Sequence, residues 1–158
     1  MDYLNKRSKM WRWLLVLVWM FIIYLFSAQP ASTSNNISLG LIDKVFSIFG
    51  FSIHTDLALL NIMNFVIRKA AHLFIYLILG GLITNALWPY RLTKGSLVLL
   101  SITIGSSYAA IDEFHQLFVA GRSGQISDVL LDSCGVLIGV ILVSSLLFHK
   151  SALIKHDQ

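Results

Sequence analysis

The run Val129-Leu130-Leu131-Asp132-Ser133-Cys134-Gly135-Val136-Leu137-Ile138-Gly139-Val140-Ile141-Leu142-Val143-Ser144-Ser145-Leu146-Leu147-Phe148 decides the fold. It is long enough to cross a bilayer as one helix, since about 17–25 apolar residues suffice. It carries a single charge, Asp132, near its start. An acid at that depth is costly to hold in hydrocarbon and is a functional hypothesis by default.

Working outward, three further apolar runs of spanning length cover about 12–28, 70–89 and 95–111, with the quoted run at 129–148. The whole chain has 158 residues, 56% apolar and 13% charged, too apolar for a soluble domain of this size. The expectation is an all-α polytopic membrane protein: one domain, residues 1–158, folded as a four-span helical bundle. The first run follows Lys6, Arg7, Lys9 and Arg12, as a secretory signal would. Its apolar stretch is long and shows no small-x-small cleavage signature, so it reads as a retained anchor.

A net charge of +4 invites a nucleic-acid reading, but the basic residues flank the spans, where they set orientation. Lys6, Arg7, Lys9, Arg12, Arg91, Lys94, Lys150 and Lys155 fall on one side, and Lys44, Arg68, Lys69 and Arg122 on the other. By the positive-inside rule both termini are cytoplasmic. Trp11, Trp13, Trp88 and Tyr90 then lie at the inner boundary, where amphipathic rings prefer to sit. The single Cys134 cannot form an internal disulfide and says nothing about redox compartment.

Residues 29–67 form the one long connection. Gln29 to Asn36 reads as turn-rich, after which Leu41, Ile42, Val45, Phe46 and Phe49 recur at helical spacing. This predicts an amphipathic helix in the outer interface, stopped by Gly50, with Thr55-Asp56 as N-cap of the next helix. That helix is expected to run from about Asp56 to Trp88. Along it Asn61, Asn64, Arg68, His72, Tyr76 and Gly80 form one continuous stripe. Ser101, Gly105, Tyr108, Asp112, His115 and Gln116 make another, and Asp128, Asp132, Gly135 and Gly139 a third.

The spans converge on a polar site at one end. Ser27 and Gln29 close the first, Arg68, Lys69 and His72 open the second, Asp112, Glu113, His115 and Gln116 close the third, and Asp128 and Asp132 open the fourth. Arg68 and Arg122 offer planar forks for carboxylate or phosphate, and Lys69 a point charge. Ser27, Gln29, Gln116, Asp128 and Asp132 complete a binding set. His72 and His115 can trade protons near neutral pH, and Asp112 and Glu113 crowd enough charge to shift a carboxylate. His72, Asp112, His115 and Asp132 are also a donor set for a divalent metal, although no HExxH-type spacing accompanies them. The bland alternative is that Arg68 pairs with Asp112, or Arg122 with Asp128 or Asp132, and that the ion pairs simply fix register.

Arg68-Lys69-Ala70-Ala71-His72, then Asp112-Glu113-Phe114-His115-Gln116-Leu117-Phe118-Val119-Ala120-Gly121-Arg122-Ser123, then Asp128 and Asp132-Ser133-Cys134-Gly135, resemble the VanZ-like family of bacterial membrane proteins. Phe26-Ser27-Ala28-Gln29 resembles the motif that ends that family's first span. The resemblance covers nearly the whole hydrophobic chain, with no departure in the motif residues. It implies a cell-membrane protein associated, through the name-giving member, with low-level resistance to teicoplanin-type lipoglycopeptides. It implies no settled chemical activity.

The leading expectation is an outward-facing site that binds or modifies an outer-leaflet amphiphile: an anionic lipid, a lipid-linked wall precursor or a lipoglycopeptide. A non-enzymatic scaffold whose charged cluster holds the bundle together is the alternative. A small proton-coupled transporter is a third reading, weakened by the lack of inverted halves or broken helices.

Overall fold

Inside a bilayer, apolar side chains gain little by leaving lipid for protein, so helices associate through close backbone approach and polar bonds. The computed structural model of the chain describes residues 2–48 and 57–156 and uses both devices. The described residues form α1 (Asp2–Ser27), α2 (Ala31–Ile48), α3 (Leu57–Leu87), a short 3-10 turn (Trp88–Tyr90), α4 (Lys94–Gln116) and α5 (Ile126–His156). No strand occurs among them. Four segments are long and apolar enough to cross a membrane: Arg7–Ser27, Ala58–Tyr90, Lys94–Gln116 and Ile126–Leu153. The chain is an all-α, multi-pass membrane protein.

The spine of the bundle is the α3–α5 pair. A Cβ at Gly80 would strike the Val136 backbone, one at Gly135 the Leu73 carbonyl and one at Gly139 the Leu77 carbonyl. These positions must lack a side chain for the two backbones to touch. Tyr76, Leu79, Ile83, Leu97, Ala109, Val136 and Val140 fill the core around that contact. Large apolar residues such as Phe74, Phe114 and Leu130 are left exposed on the outer faces, where lipid would meet them.

Polar bonds attach the remaining spans. Trp19 Nε1 donates to the Ile75 carbonyl at 2.9 Å, and the Tyr108 hydroxyl donates to the Met20 carbonyl at 2.6 Å. Arg12 donates to the Asn85 carbonyl at 2.7 Å and to its Oδ1 at 2.9 Å. Such interhelical bonds average about 0.6 kcal/mol in a bilayer, so several are needed to fix one helix. Thr93 caps α4 by accepting from the Ser96 amide at 3.2 Å, which satisfies one of the free donors of its first turn. Trp13 Nε1 reaches the Tyr90 hydroxyl at 3.2 Å, so these aromatic residues share one end of the bundle, as expected.

The helices exceed the expected spans. The long helix expected from about Asp56 appears as α3, with 31 residues and a rise of about 46 Å. The span expected to end near residue 111 continues to Gln116, so Asp112, Glu113, His115 and Gln116 are helical. The stretch read as turn-rich is a further correction: α2 already begins at Ala31 and includes Ser32, Thr33, Ser34, Asn35 and Asn36. The Ser38 hydroxyl donates to the Ser34 carbonyl, one of the ways these residues are accommodated within a helix. Ile42 is buried, whereas Leu41 and Val45 stay exposed. The expected features at Phe49, Gly50 and Thr55-Asp56 lie outside the described residues.

Candidate functional site

The helix spacing of Arg68, His72 and Tyr76 places them one turn apart along α3, facing the ends of α1 and α4 and the start of α5. The loop between α4 and α5 closes that end. Gly121 takes φ +73° there, a conformation natural to glycine, and the loop's Ala120 carbonyl accepts from the Ala31 amide at 3.2 Å.

The turn delivers Arg122 onto the end of α1. Its Nε donates to the Gln29 carbonyl at 2.9 Å, one terminal nitrogen to the Phe26 carbonyl at 3.2 Å, and the other to Gln116 Oε1 at 3.4 Å. A guanidinium suits this work because its fixed fork can satisfy several carbonyls left open at a helix C-terminus. Burial, and after it the neighbouring Arg68 charge, lower the Arg122 pKa from its ordinary value, while Asp112 and Glu113 act in the opposite sense.

The remaining cations are also held. Lys69 forms an ion pair with Asp128, and Arg68 donates to Asn35 Oδ1 at 2.9 Å, an oxygen that also receives Asn64 Nδ2 at 3.3 Å. Among the described residues none of the expected arginine–carboxylate pairs forms; Asp128 pairs with Lys69 instead. Asn35 went unnoticed in the sequence because a polar residue in a run of serines and asparagines carries no sign of its partner.

At the centre, His72 Nδ1 stands 3.5 Å from Asp132 Oδ1. Donor atoms of His72, Glu113 and Asp132 all lie within 4.8 Å of one another. Asp132 is fully buried, and Glu113 and Asp112 are 3% and 4% exposed. Glu113 Oε1 receives Gln116 Nε2 at 3.0 Å, and Oε2 receives the Gln125 amide at 3.1 Å. His72 Nδ1, both Asp132 oxygens, Asp112 Oδ2, the Tyr76 hydroxyl and the Ser27 hydroxyl are buried without a hydrogen-bond partner among the described residues. Buried polar groups are rarely left so, and each asks for an explanation. Among the described residues the donor atoms brought this close belong to His72, Glu113 and Asp132; Asp112 and His115 are not among them. The His115 ring instead stacks at a tilt on Tyr24, with centroids 5.0 Å apart.

Two chambers open beside this centre. One, of about 250 Å³, runs along Ile23, Phe26, Ile37, Leu41, Ile67 and Ile75, with Ser27, Gln29 and Asp112 also on its wall. The other, of about 210 Å³, is polar and is walled by Lys69, Gln116, Ser123, Gln125 and Asp128. Arg68, His72 and Arg122 line both. α2 forms one side of the apolar chamber through Ser34, Ile37, Ser38 and Leu41. Of the expected site residues, Ser27, Gln29, Arg68, Lys69, His72, Asp112, Gln116, Arg122 and Asp128 line a chamber, whereas Glu113, Asp132 and His115 line neither, the first two keeping donor atoms within 4.8 Å of His72.

A family model described as VanZ/LLP1 matches residues 12–149, which covers most of each of the four spans and every residue of the site. Comparison with curated proteins returned no match, and neither did comparison with solved structures.

Proposed function

The chain belongs to the VanZ-like family, and from that premise we propose that it binds an amphiphile of the outer leaflet of a bacterial cytoplasmic membrane. The observation that carries this reading is the meeting of an apolar and a polar chamber at Arg68, His72 and Arg122. An amphiphile needs both environments side by side. Its acyl portion would lie among Ile23, Phe26, Ile37 and Leu41, and its anionic headgroup against Arg68, Lys69 and Arg122. Together the chambers fall in the roughly 300–1,000 Å³ range of small-ligand sites.

Orientation follows from the charge asymmetry: both termini face the cytoplasm and the site opens outward. The ligand class is an anionic lipid or a lipid-linked wall precursor, and glycopeptide tolerance would arise from altered exposure of such a component. His72, which lines both chambers, would move a proton at a bound headgroup, with Asp112, Glu113 and Asp132 setting the local charge.

The scaffold reading has its own support, since Lys69–Asp128 and the bonds of Arg122 hold the bundle end together. Lipid and wall-precursor profiling of cells with and without the protein separates the two. A change in one anionic amphiphile class that is absent for Arg68→Gln at equal abundance supports binding; unchanged profiles favour the scaffold.

A further inference from the structure

We propose that His72, Glu113 and Asp132 form a site for one divalent transition-metal ion, with zinc the best match. α3, α4 and α5 each supply one of these groups, and donor atoms of all three lie within 4.8 Å of one another. Two carboxylates at 0% and 3% exposure share this space with one imidazole. Like charges held that close in a dry environment repel strongly unless a cation joins them. The nearby fixed cations are engaged elsewhere: Lys69 with Asp128, Arg122 with the Phe26 and Gln29 carbonyls, and Arg68 with Asn35.

The second observation is independent of charge. Both oxygens of the fully buried Asp132 and Nδ1 of His72 have no hydrogen-bond partner among the described residues, and Oδ1 stands 3.5 Å from Nδ1, within ion-pair range but without a hydrogen bond. These are lone-pair atoms suited to ligation. Glu113, in contrast, is oriented by Gln116 Nε2 and the Gln125 amide, as ligating carboxylates usually are.

Donor chemistry selects the ion. Calcium and magnesium take oxygen ligands, whereas one imidazole with two carboxylates suits zinc and its transition-metal neighbours. Zinc sits about 2.0–2.2 Å from nitrogen and oxygen donors, so the three side chains would draw in by roughly 1 Å to bind it. Three protein ligands with a fourth position open is the arrangement of a zinc that acts on a substrate.

The test uses the full chain in lipid nanodiscs. After zinc loading and desalting, elemental analysis should find about one zinc per chain, and cobalt in its place should give the visible absorption of a low-symmetry site. His72→Gln and Asp132→Asn should weaken zinc binding by at least about tenfold, since loss of even an orienting partner costs about 10–100-fold. His149→Gln, on an exposed position far along α5, should bind as the parent does. Failure of the parent protein to retain zinc and to give the cobalt spectrum overturns the site, whatever happens to the folding of the variants. So does zinc binding that is unchanged in folded His72→Gln and Asp132→Asn. The proposal stands apart from amphiphile binding, because metal content is read directly by elemental analysis whatever lipid is bound, and lipid binding can persist without metal.

Discussion

His72 Nδ1 on α3 and Asp132 Oδ1 on α5 approach to 3.5 Å across the helix pair that forms the spine of the bundle. The α3–α5 glycine contacts that bring the two helices together therefore also set the distance between these two groups. Gly139→Ala would push a methyl into the Leu77 carbonyl, and backbone cannot step aside as a side chain can. Overpacking of this kind costs about 1–3 kcal/mol. The expected outcome is a clearly lower melting midpoint in detergent. Gly95→Ala, where nothing lies within 4 Å, should leave the midpoint equal or slightly higher.

Arg122 ties the end of α1 to the α4–α5 loop through carbonyls of Phe26 and Gln29. Arg122→Met keeps much of the bulk and deletes those bonds. A hydrogen bond to a charged group is worth about 1.5–3 kcal/mol, less where the partner carbonyls can find water. We expect a loss of about 2 kcal/mol and a melting midpoint several degrees lower. A midpoint within error of the parent would show that the strut does not stabilise the bundle.

Glu113→Gln keeps shape and one acceptor while removing one of two close carboxylates, so relief of repulsion offsets a lost bond. His115→Gln loses only a ring contact with Tyr24, worth about 0.5–1.5 kcal/mol. Both variants should accumulate in the membrane at near-normal levels. Glu113→Gln should abolish the envelope or glycopeptide-tolerance phenotype of the parent. His115 lines neither chamber, so a reduced phenotype in folded His115→Gln would assign it a role that its position does not suggest. Immunoblots beside susceptibility measurements read both quantities.

Much of this was legible in the sequence because lipid imposes simple rules. Four apolar runs gave four spans, and the regular spacing of Arg68, His72, Tyr76 and Gly80 marked the inward face of α3. What the sequence withheld was rotation. Asp112 and Glu113 are adjacent on α4 and point about 100° apart, so which of them meets Asp132 depends on how α4 is turned against α5. That turn is fixed partly at Gly105, where a Cβ would meet the Val136 side chain, a tertiary fact without a local signal. The same limit hid the Lys69–Asp128 pair. The early start of α2 was missed because serine and asparagine favour turns in isolation, and only contacts such as Asn35 with Arg68 reveal their helical placement.

Orientation can be checked with cysteine accessibility in a background lacking Cys134. A cysteine at the exposed Ser32 of α2 should react with an impermeant reagent in intact cells. One at Lys94 should react only after permeabilisation. The reverse pattern would place the site on the cytoplasmic side.

The most direct test of the central claim is native mass spectrometry of the purified chain released from nanodiscs containing a zwitterionic lipid and an anionic one. The parent protein should carry one anionic amphiphile in preference to the zwitterionic lipid. Arg68→Gln, which keeps a polar group near Asn35 but removes the charge shared by both chambers, should lose that preference. Equal retention of both lipids by the parent, or an undiminished anionic preference in folded Arg68→Gln, would contradict the claim that the chambers form an amphiphile site built around that arginine.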